Sequence, residues 1–226
     1  MKLQAVVKEV VKVSPKVSLV RLAFDGVSEF KFRPGQWVGV WSDDFLGENN
    51  KPVRRAFSIA SVPGEPYLEL CVARGQNFSA FLHDAKPGQK FWIDGPYGMF
   101  WLRPSKKYLF IAGGTGIAPF RSMVHEAVKS GADVILVYSM KSPSDFVYRD
   151  ELESVKGKFV LVPTITVKGY SQWMGRQGRA QTFIKEYFDK DRQTYICGPP
   201  AMVEELEKDL LKLGLRKELL FVDKWE

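Results

Sequence analysis

Two short glycine-rich segments carry the residue types that can do chemistry. The first is Ala112-Gly113-Gly114-Thr115-Gly116-Ile117-Ala118-Pro119, at the end of the apolar run 107–113. Glycines there allow a tight turn and a close approach of backbone to a ligand. A helix opening at Ala118 would aim its free N–H groups at that turn, a geometry suited to a pyrophosphate. Pro119 is compatible with the first helical turn, where its missing N–H has no partner to lose. The Thr115 hydroxyl could add a donor to a phosphate oxygen. The spacing is neither G-x-G-x-x-G nor a P-loop, since no Gly-Lys-Ser/Thr follows, and a turn without a ligand is the competing reading. The second segment is Cys197-Gly198-Pro199-Pro200-Ala201-Met202, again between an apolar run and a helical pattern. Ligands of open α/β sheets bind beyond the carboxyl ends of the strands, so two such junctions point to a nucleotide lying across them. Cys197 reads either as a buried strand-end thiol or as a small polarizable atom beside a reacting ring.

Other chemistries find little support. The chain has two cysteines, Cys71 and Cys197, far apart and each inside an apolar run. They cannot supply the four thiolates of a plant-type iron–sulfur cluster. No Cys-x-x-Cys pair exists, so no metal site is expected. Both read as free thiols, which fits a cytoplasmic protein. With 226 residues, 45% of them hydrophobic, the chain can bury a core without disulfides. The first residues lack the apolar stretch of a signal peptide. No segment approaches the roughly 20 apolar residues of a membrane span. The net charge of +7 fits simple solubility, or attraction to a nucleotide or an acidic protein. Lysines and arginines are scattered, so nucleic-acid binding is not expected.

The elements that must position these segments change period along the chain. Residues 3–13, 17–24, 36–41, 54–61, 67–73 and 89–95 read as short strands, several alternating polar with apolar. Ser14-Pro15, Pro34-Gly35, Pro63-Gly64 and Pro87-Gly88 separate them as turns. Six such strands predict a small closed antiparallel barrel. A short helix is expected from Ser79 to Ala85, with Ser79 as N-cap. From residue 104 onward, strands at 107–113, 133–139, 158–164, 194–197 and 218–222 alternate with helical patterns at 118–130, 144–154, 181–188 and 201–213. That alternation predicts βα units and a mostly parallel, Rossmann-like sheet. The expected domains are 1–103 and 104–226.

At this point the motifs resemble the ferredoxin–NADP reductase superfamily over essentially the whole length. Pro34-Gly35-Gln36-Trp37, Arg55-Ala56-Phe57-Ser58, Gly95-Pro96-Tyr97-Gly98 and the two glycine junctions stand in that family's order. The resemblance implies a flavin-binding antiparallel barrel followed by a nicotinamide-binding α/β domain. It implies that Arg55 pairs with the flavin pyrophosphate, a task suited to the guanidinium fork. Ala56 would be part of the same cofactor-binding stretch, Phe57 would pack on the isoalloxazine, and Ser58 would lie near flavin N5. Many relatives carry tyrosine at the Phe57 position, so a hydroxyl is missing here. The segment Arg74-Gly75-Gln76-Asn77-Phe78-Ser79 looks like the family's second flavin segment. Backbone N–H groups of Asn77, Phe78 and Ser79 would then meet phosphates, with help from Arg74. Gly114, Thr115, Gly116, Gly198, Pro199 and Met202 would hold the nicotinamide dinucleotide.

Relatives often end in Val-Glu-x-Tyr, whose ring covers the flavin. By that likeness Asp223 takes the carboxylate position of Val222-Asp223-Lys224-Trp225, and Trp225 becomes a gate over the flavin. Ser58, Cys197, Asp223 and Trp225 are therefore the expected catalytic group. The implied chemistry is hydride transfer between nicotinamide C4 and flavin N5, with the protein stacking the rings and excluding water. The cofactors expected are FAD, in preference to FMN, and NADPH or NADH. NADPH users bind the 2′-phosphate after the third parallel strand. Val167 stands where an arginine is expected, but Lys168 follows, and Lys141, Arg176 and Arg179 are further cations, which leans the reading toward NADPH. The expected partner is a small acidic carrier such as ferredoxin or flavodoxin. The alternatives are a stand-alone flavin or quinone reductase and a flavin-containing subunit of a larger complex.

Overall fold

The computed structural model describes residues 2–27 and 29–224. The chain divides into two compact units, Met1–Trp101 and Leu102–Glu226. In the first unit the strands are β1 (Lys2–Ser14), β2 (Val17–Phe24), β3 (Trp37–Trp41), β4 (Arg55–Ser58), β5 (Leu68–Ala73) and β6 (Lys90–Tyr97). They form one antiparallel sheet in the order β4-β3-β6-β1-β2-β5. The two end strands are joined by an Ile59–Leu70 bridge and by the Ala60 N–H donating to the Glu69 carbonyl at 2.9 Å. This closes the barrel that the six-strand pattern predicts.

Alternation explains which faces turn inward. Val38 and Val40 of β3 and Phe91 and Ile93 of β6 enter the core. Trp37, Trp41, Trp92 and Asp94 take the other face of the same strands and stay half-buried. One charge goes inside: Glu69 is fully buried and accepts from Arg21 Nε at 2.7 Å. Helix α1 (Phe78–His83) starts one residue earlier than expected, with Asn77 as N-cap at φ 54°. Asparagine tolerates this left-handed conformation better than most residues. Ser79 does not cap the helix; its Oγ donates to the Gln76 carbonyl at 3.0 Å.

The second unit is a wholly parallel six-stranded sheet. Its strands are β7 (Lys107–Gly113), β8 (Asp133–Met140), β9 (Phe159–Ile165), β10 (Arg176–Gln177), β11 (Gln193–Gly198) and β12 (Leu220–Lys224), in the order β10-β9-β8-β7-β11-β12. Helices α2 (Ala118–Lys129), α3 (Arg149–Ser154) and α4 (Pro200–Lys212) connect them. α2 stops at Gly131, whose φ of +79° favours glycine. Leu109, Ile111, Val137 and Ile196 from the strands meet Val203, Leu206 and Leu210 from α4 in a common core.

Two of the expected helices are shorter or different. Residues 144–154 split into a 3-10 turn at Pro143–Asp145 and the six-residue α3. Ser142 and Asp145 close that turn as a capping box, and Tyr148 at φ 60° interrupts any continuous helix. Residues 181–188 form two 3-10 turns, Ala180–Thr182 and Ile184–Tyr187, separated by Phe183 at φ −132°. Burial of Ala180, Phe183 and Ile184 fixes this segment. Among the described residues no helix is long and apolar enough to cross a membrane.

Arg192 anchors the amino ends of the parallel strands. It is nearly buried, donates to the Tyr108 carbonyl at 3.0 Å and pairs with Asp133 at 3.0 Å. The hydrogen bond from Arg192 holds the Asp133 carboxyl below its ordinary range. A depressed carboxylate stabilises the fold above its unfolded pKa and loses that contribution as pH falls through its folded one. Urea unfolding should therefore show Asp133→Asn less stable than wild type at neutral pH. The gap should close below the ordinary carboxylate range.

Candidate functional site

The two glycine junctions lie side by side because β7 and β11 are neighbouring parallel strands, with Ala112 opposite Cys197. Both open at the carboxyl edge of the sheet. The chain leaves β7 through Gly114, at φ +54°, into a 3-10 turn at Gly114–Ile117 that runs on into α2. A Cβ on Gly116 would stand 2.3 Å from the Cys197 carbonyl oxygen, and one on Gly113 would stand 2.7 Å from Met202 Cε. One on Gly198 would meet the same Met202 Cε at 2.6 Å. At Gly116 only bare backbone permits this approach, whereas at Gly113 and Gly198 the nearest atom is the flexible end of Met202. Gly114 and Thr115 remain half-exposed while Gly116 and Ile117 are buried, so the turn presents backbone outward on a buried base. Pro200 occupies the first helical position of α4 just beyond the second junction. This cradle fits the phosphates of a dinucleotide.

Cys197 and Asp223 meet across the β11–β12 pair, in register, with Sγ 3.9 Å from Asp223 Oδ2. Burial pushes the thiol well up, with the Asp223 charge adding to the effect. Burial also raises the Asp223 carboxyl. Burial thus favours the neutral thiol of Cys197, which suits a small polarizable wall. Cys71 is likewise buried and free, its thiol raised by burial. Trp225, expected to gate the flavin, lies outside the described residues.

The cations expected near the coenzyme are differently placed. Lys168 is exposed on the segment after β9. Arg176 pairs with Glu186, its Nη1 donating to Oε1 at 2.9 Å, and its guanidinium lies over Phe183 and Tyr187. With Tyr170 and Trp173 it lines a cleft of about 1050 Å³. None of the glycine-junction residues lines that cleft. Among the described residues no group of three or more His, Cys, Asp or Glu side chains could hold a metal ion.

In the barrel unit, β4 carries Arg55, Ala56, Phe57 and Ser58. Arg55 is exposed, and its Nη1 donates to the Arg54 carbonyl at 3.1 Å, one of the five N–H donors that a guanidinium carries. Phe57 packs against the barrel core, and Ser58 is half-buried opposite Trp37. Arg74 faces a carboxylate: it shares Asp84 with Lys12 and His83, at 3.0, 3.1 and 2.8 Å. Phe78 is a core side chain, so only its backbone is available to a ligand.

Sequence reading missed Arg54. Its guanidinium grips Asp94 of β6 at 2.6 Å and lies over the Trp37 and Tyr97 rings, 5.6 and 5.8 Å from their centroids. A Cβ on Gly39 would fall 2.1 Å from both partners of this ion pair. Arg54 thereby ties β4 to the two motifs that supply Trp37 and Tyr97. The signal was present: adjacent arginines entering a strand point to opposite faces, so one of the two must serve the outer face.

The most demanding contact is that of Gly116. Gly116→Ala should lower stability by about 1–3 kcal/mol in urea unfolding, because backbone rather than a flexible side chain must move. It should also weaken nucleotide binding in calorimetry.

Known proteins share this architecture. A family model described as oxidoreductase NAD-binding domain matches residues 110–208. The chain is 34% identical over 216 residues to ferredoxin–NADP reductase B of Sorangium cellulosum, covering 87% of this chain and 86% of that one. It is 29% identical over 210 residues to the xylene/toluene monooxygenase electron transfer component XylA of Pseudomonas putida, covering 87% of this chain but only 58% of the relative. Among solved structures, the ferredoxin reductase in carbazole 1,9a-dioxygenase superposes with a TM-score of 0.87 at 25% identity, over 100% of this chain and 70% of that one.

Proposed function

The chain belongs to the ferredoxin–NADP reductase superfamily of flavin- and nicotinamide-dependent reductases, and on that premise we propose that it passes electrons between NAD(P)H and a bound FAD. A small acidic carrier protein, a ferredoxin or flavodoxin, is the proposed partner on the other side. The observation that carries this reading is the contact of two glycine junctions at neighbouring strand ends, with Gly116 against Cys197. A bare-backbone cradle at that place fits a dinucleotide.

When bound, the two cofactors supply the hydride transfer between nicotinamide and isoalloxazine. The chain's own residues bind and exclude water. Arg55 offers its free donors to the flavin pyrophosphate, fixed from below by the Arg54 carbonyl. Phe57 and Ser58, on the same strand as Ala56, offer an apolar platform and a hydroxyl to the flavin ring. Backbone N–H groups at Asn77, Phe78 and Ser79 extend the phosphate contact. Thr115 and the turn 114–116 hold the coenzyme phosphates. Gly198, Pro199 and Met202 form the second wall. Cys197, whose neutral thiol burial favours, and Asp223 line the reacting end.

The net charge of +7 suits an acidic carrier, since opposite charge speeds encounter. The buried free thiols suit a cytoplasmic setting. A second reading, the electron-transfer component of an oxygenase complex, is favoured by the match to XylA.

Anaerobic absorbance titration with NADH and NADPH tests the function. A flavin spectrum bleached by either coenzyme is expected. A purified chain that binds neither FAD nor FMN on reconstitution would sink the proposal. Arg55→Ala should lose most of its flavin on gel filtration, while far-UV circular dichroism stays that of the wild type.

A further inference from the structure

The sequence offers Lys141, Lys168, Arg176 and Arg179 as cations for a 2′-phosphate, but both arginines already hold carboxylates. Arg176 is paired with Glu186 through both terminal guanidinium nitrogens, Nη1 and Nη2. Arg179 is paired with Glu205, which also accepts from Gln181 Nε2 at 3.1 Å. The second pair is anchored at each end. Arg179 follows β10, which pairs with Thr164 and Ile165 at the carboxyl end of β9. The Gly178 carbonyl beside it accepts from Thr164 Oγ1 at 2.7 Å. Glu205 sits in the second turn of α4, the helix that opens at the second glycine junction. Arg179 and Glu205 therefore face each other at the same edge of the sheet as the coenzyme cradle.

We propose that Glu205, with Glu186, is a specificity determinant that turns this chain toward NADH and against NADPH. The inference rests on the reading that a nicotinamide dinucleotide binds across the glycine junctions. A 2′-phosphate brings about two negative charges and needs uncompensated cations. At Arg179 it meets a neutralised pair. Even if the guanidinium swings to the phosphate, the Glu205 carboxylate stays within one side chain's reach and repels it. A free ribose hydroxyl suffers no such repulsion, and a nearby carboxylate can accept its hydrogen bond. Discrimination by a built-in repulsive group is a general route to specificity. Lys141 and Lys168 are exposed, as are Glu186 and Glu205, so solvent screens both the repulsion and its offset and keeps the discrimination to the scale of a surface charge pair. This reverses the lean toward NADPH that counting basic residues suggests.

The test compares two probes that differ only in the 2′-phosphate, 5′-AMP and 2′-phospho-AMP. Their equilibrium binding to the holoprotein is measured by calorimetry at fixed salt. Wild type should bind 2′-phospho-AMP no more tightly than 5′-AMP. Glu205→Gln should raise the affinity ratio in favour of 2′-phospho-AMP by about fivefold, the scale of one exposed charge pair. Glu186→Gln combined with it should raise the ratio further. The ratio of NADPH to NADH rates for flavin bleaching should move the same way in the same variants. A wild type that binds 2′-phospho-AMP more tightly than 5′-AMP, or a ratio unmoved in Glu205→Gln, overturns the assignment while leaving the reductase reading intact. Failure of both probes to bind, with no bleaching by either coenzyme, overturns both.

Discussion

The approach of Gly116 to the carbonyl of Cys197 is the contact on which the coenzyme unit depends. Parallel β7 and β11 pair along their length, and their carboxyl ends must both turn into helices in the same small space. With a side chain on Gly116 that space would not exist, since every atom it would meet there is backbone of the neighbouring strand end. Met202, reaching back from α4, fills the remainder against Gly113 and Gly198. A polar backbone surface results, seated on buried Ile117, Ala118 and Phe120, and is therefore held rigid while still open to a ligand. The same packing buries Cys197, and burial favours its neutral thiol.

In the barrel unit, charge rather than backbone sets the geometry. Arg54 and Arg55 leave the loop before β4 together and are put to opposite uses. Arg54 is spent on Asp94 and two aromatic rings, in the gap that Gly39 leaves. Arg55 is exposed, and its Nη1 donates to the carbonyl of its neighbour. A bidentate, ring-stacked arginine is a rigid anchor, and lysine cannot replace it in kind. Arg74 shows the contrast: placed beside Asp84, it is compensated before any ligand arrives. Whether an arginine is available to a phosphate thus depends on the carboxylate that the fold brings to it, not on the arginine itself.

The same rule separates what composition suggests from what the fold allows in the second unit. Arg176 and Arg179 count as positive charges in the sequence, yet Glu186 and Glu205 meet them from segments ten and 26 residues further on. Helical patterns misled for a related reason. Residues 181–188 have helical composition, but Ala180, Phe183 and Ile184 must all enter one core, and two 3-10 turns achieve this where a single α-helix did not form. Tertiary burial outweighed local propensity.

Much was legible in the sequence alone. Period-two alternation with Pro-Gly turns determined the antiparallel barrel, because each strand has one wet and one dry face. Apolar runs alternating with helices determined the parallel sheet, and the glycine clusters marked both junctions, because only glycine survives such close backbone approach. The motif order pointed to the family. Partnerships between distant side chains were decided only by the tertiary structure: Arg54 with Asp94, Arg179 with Glu205, Cys197 with Asp223. Each joins residues 26 or 40 positions apart. No local propensity encodes such pairings; they exist because strand order and register bring the groups together, and electrostatics then decides which charges remain free.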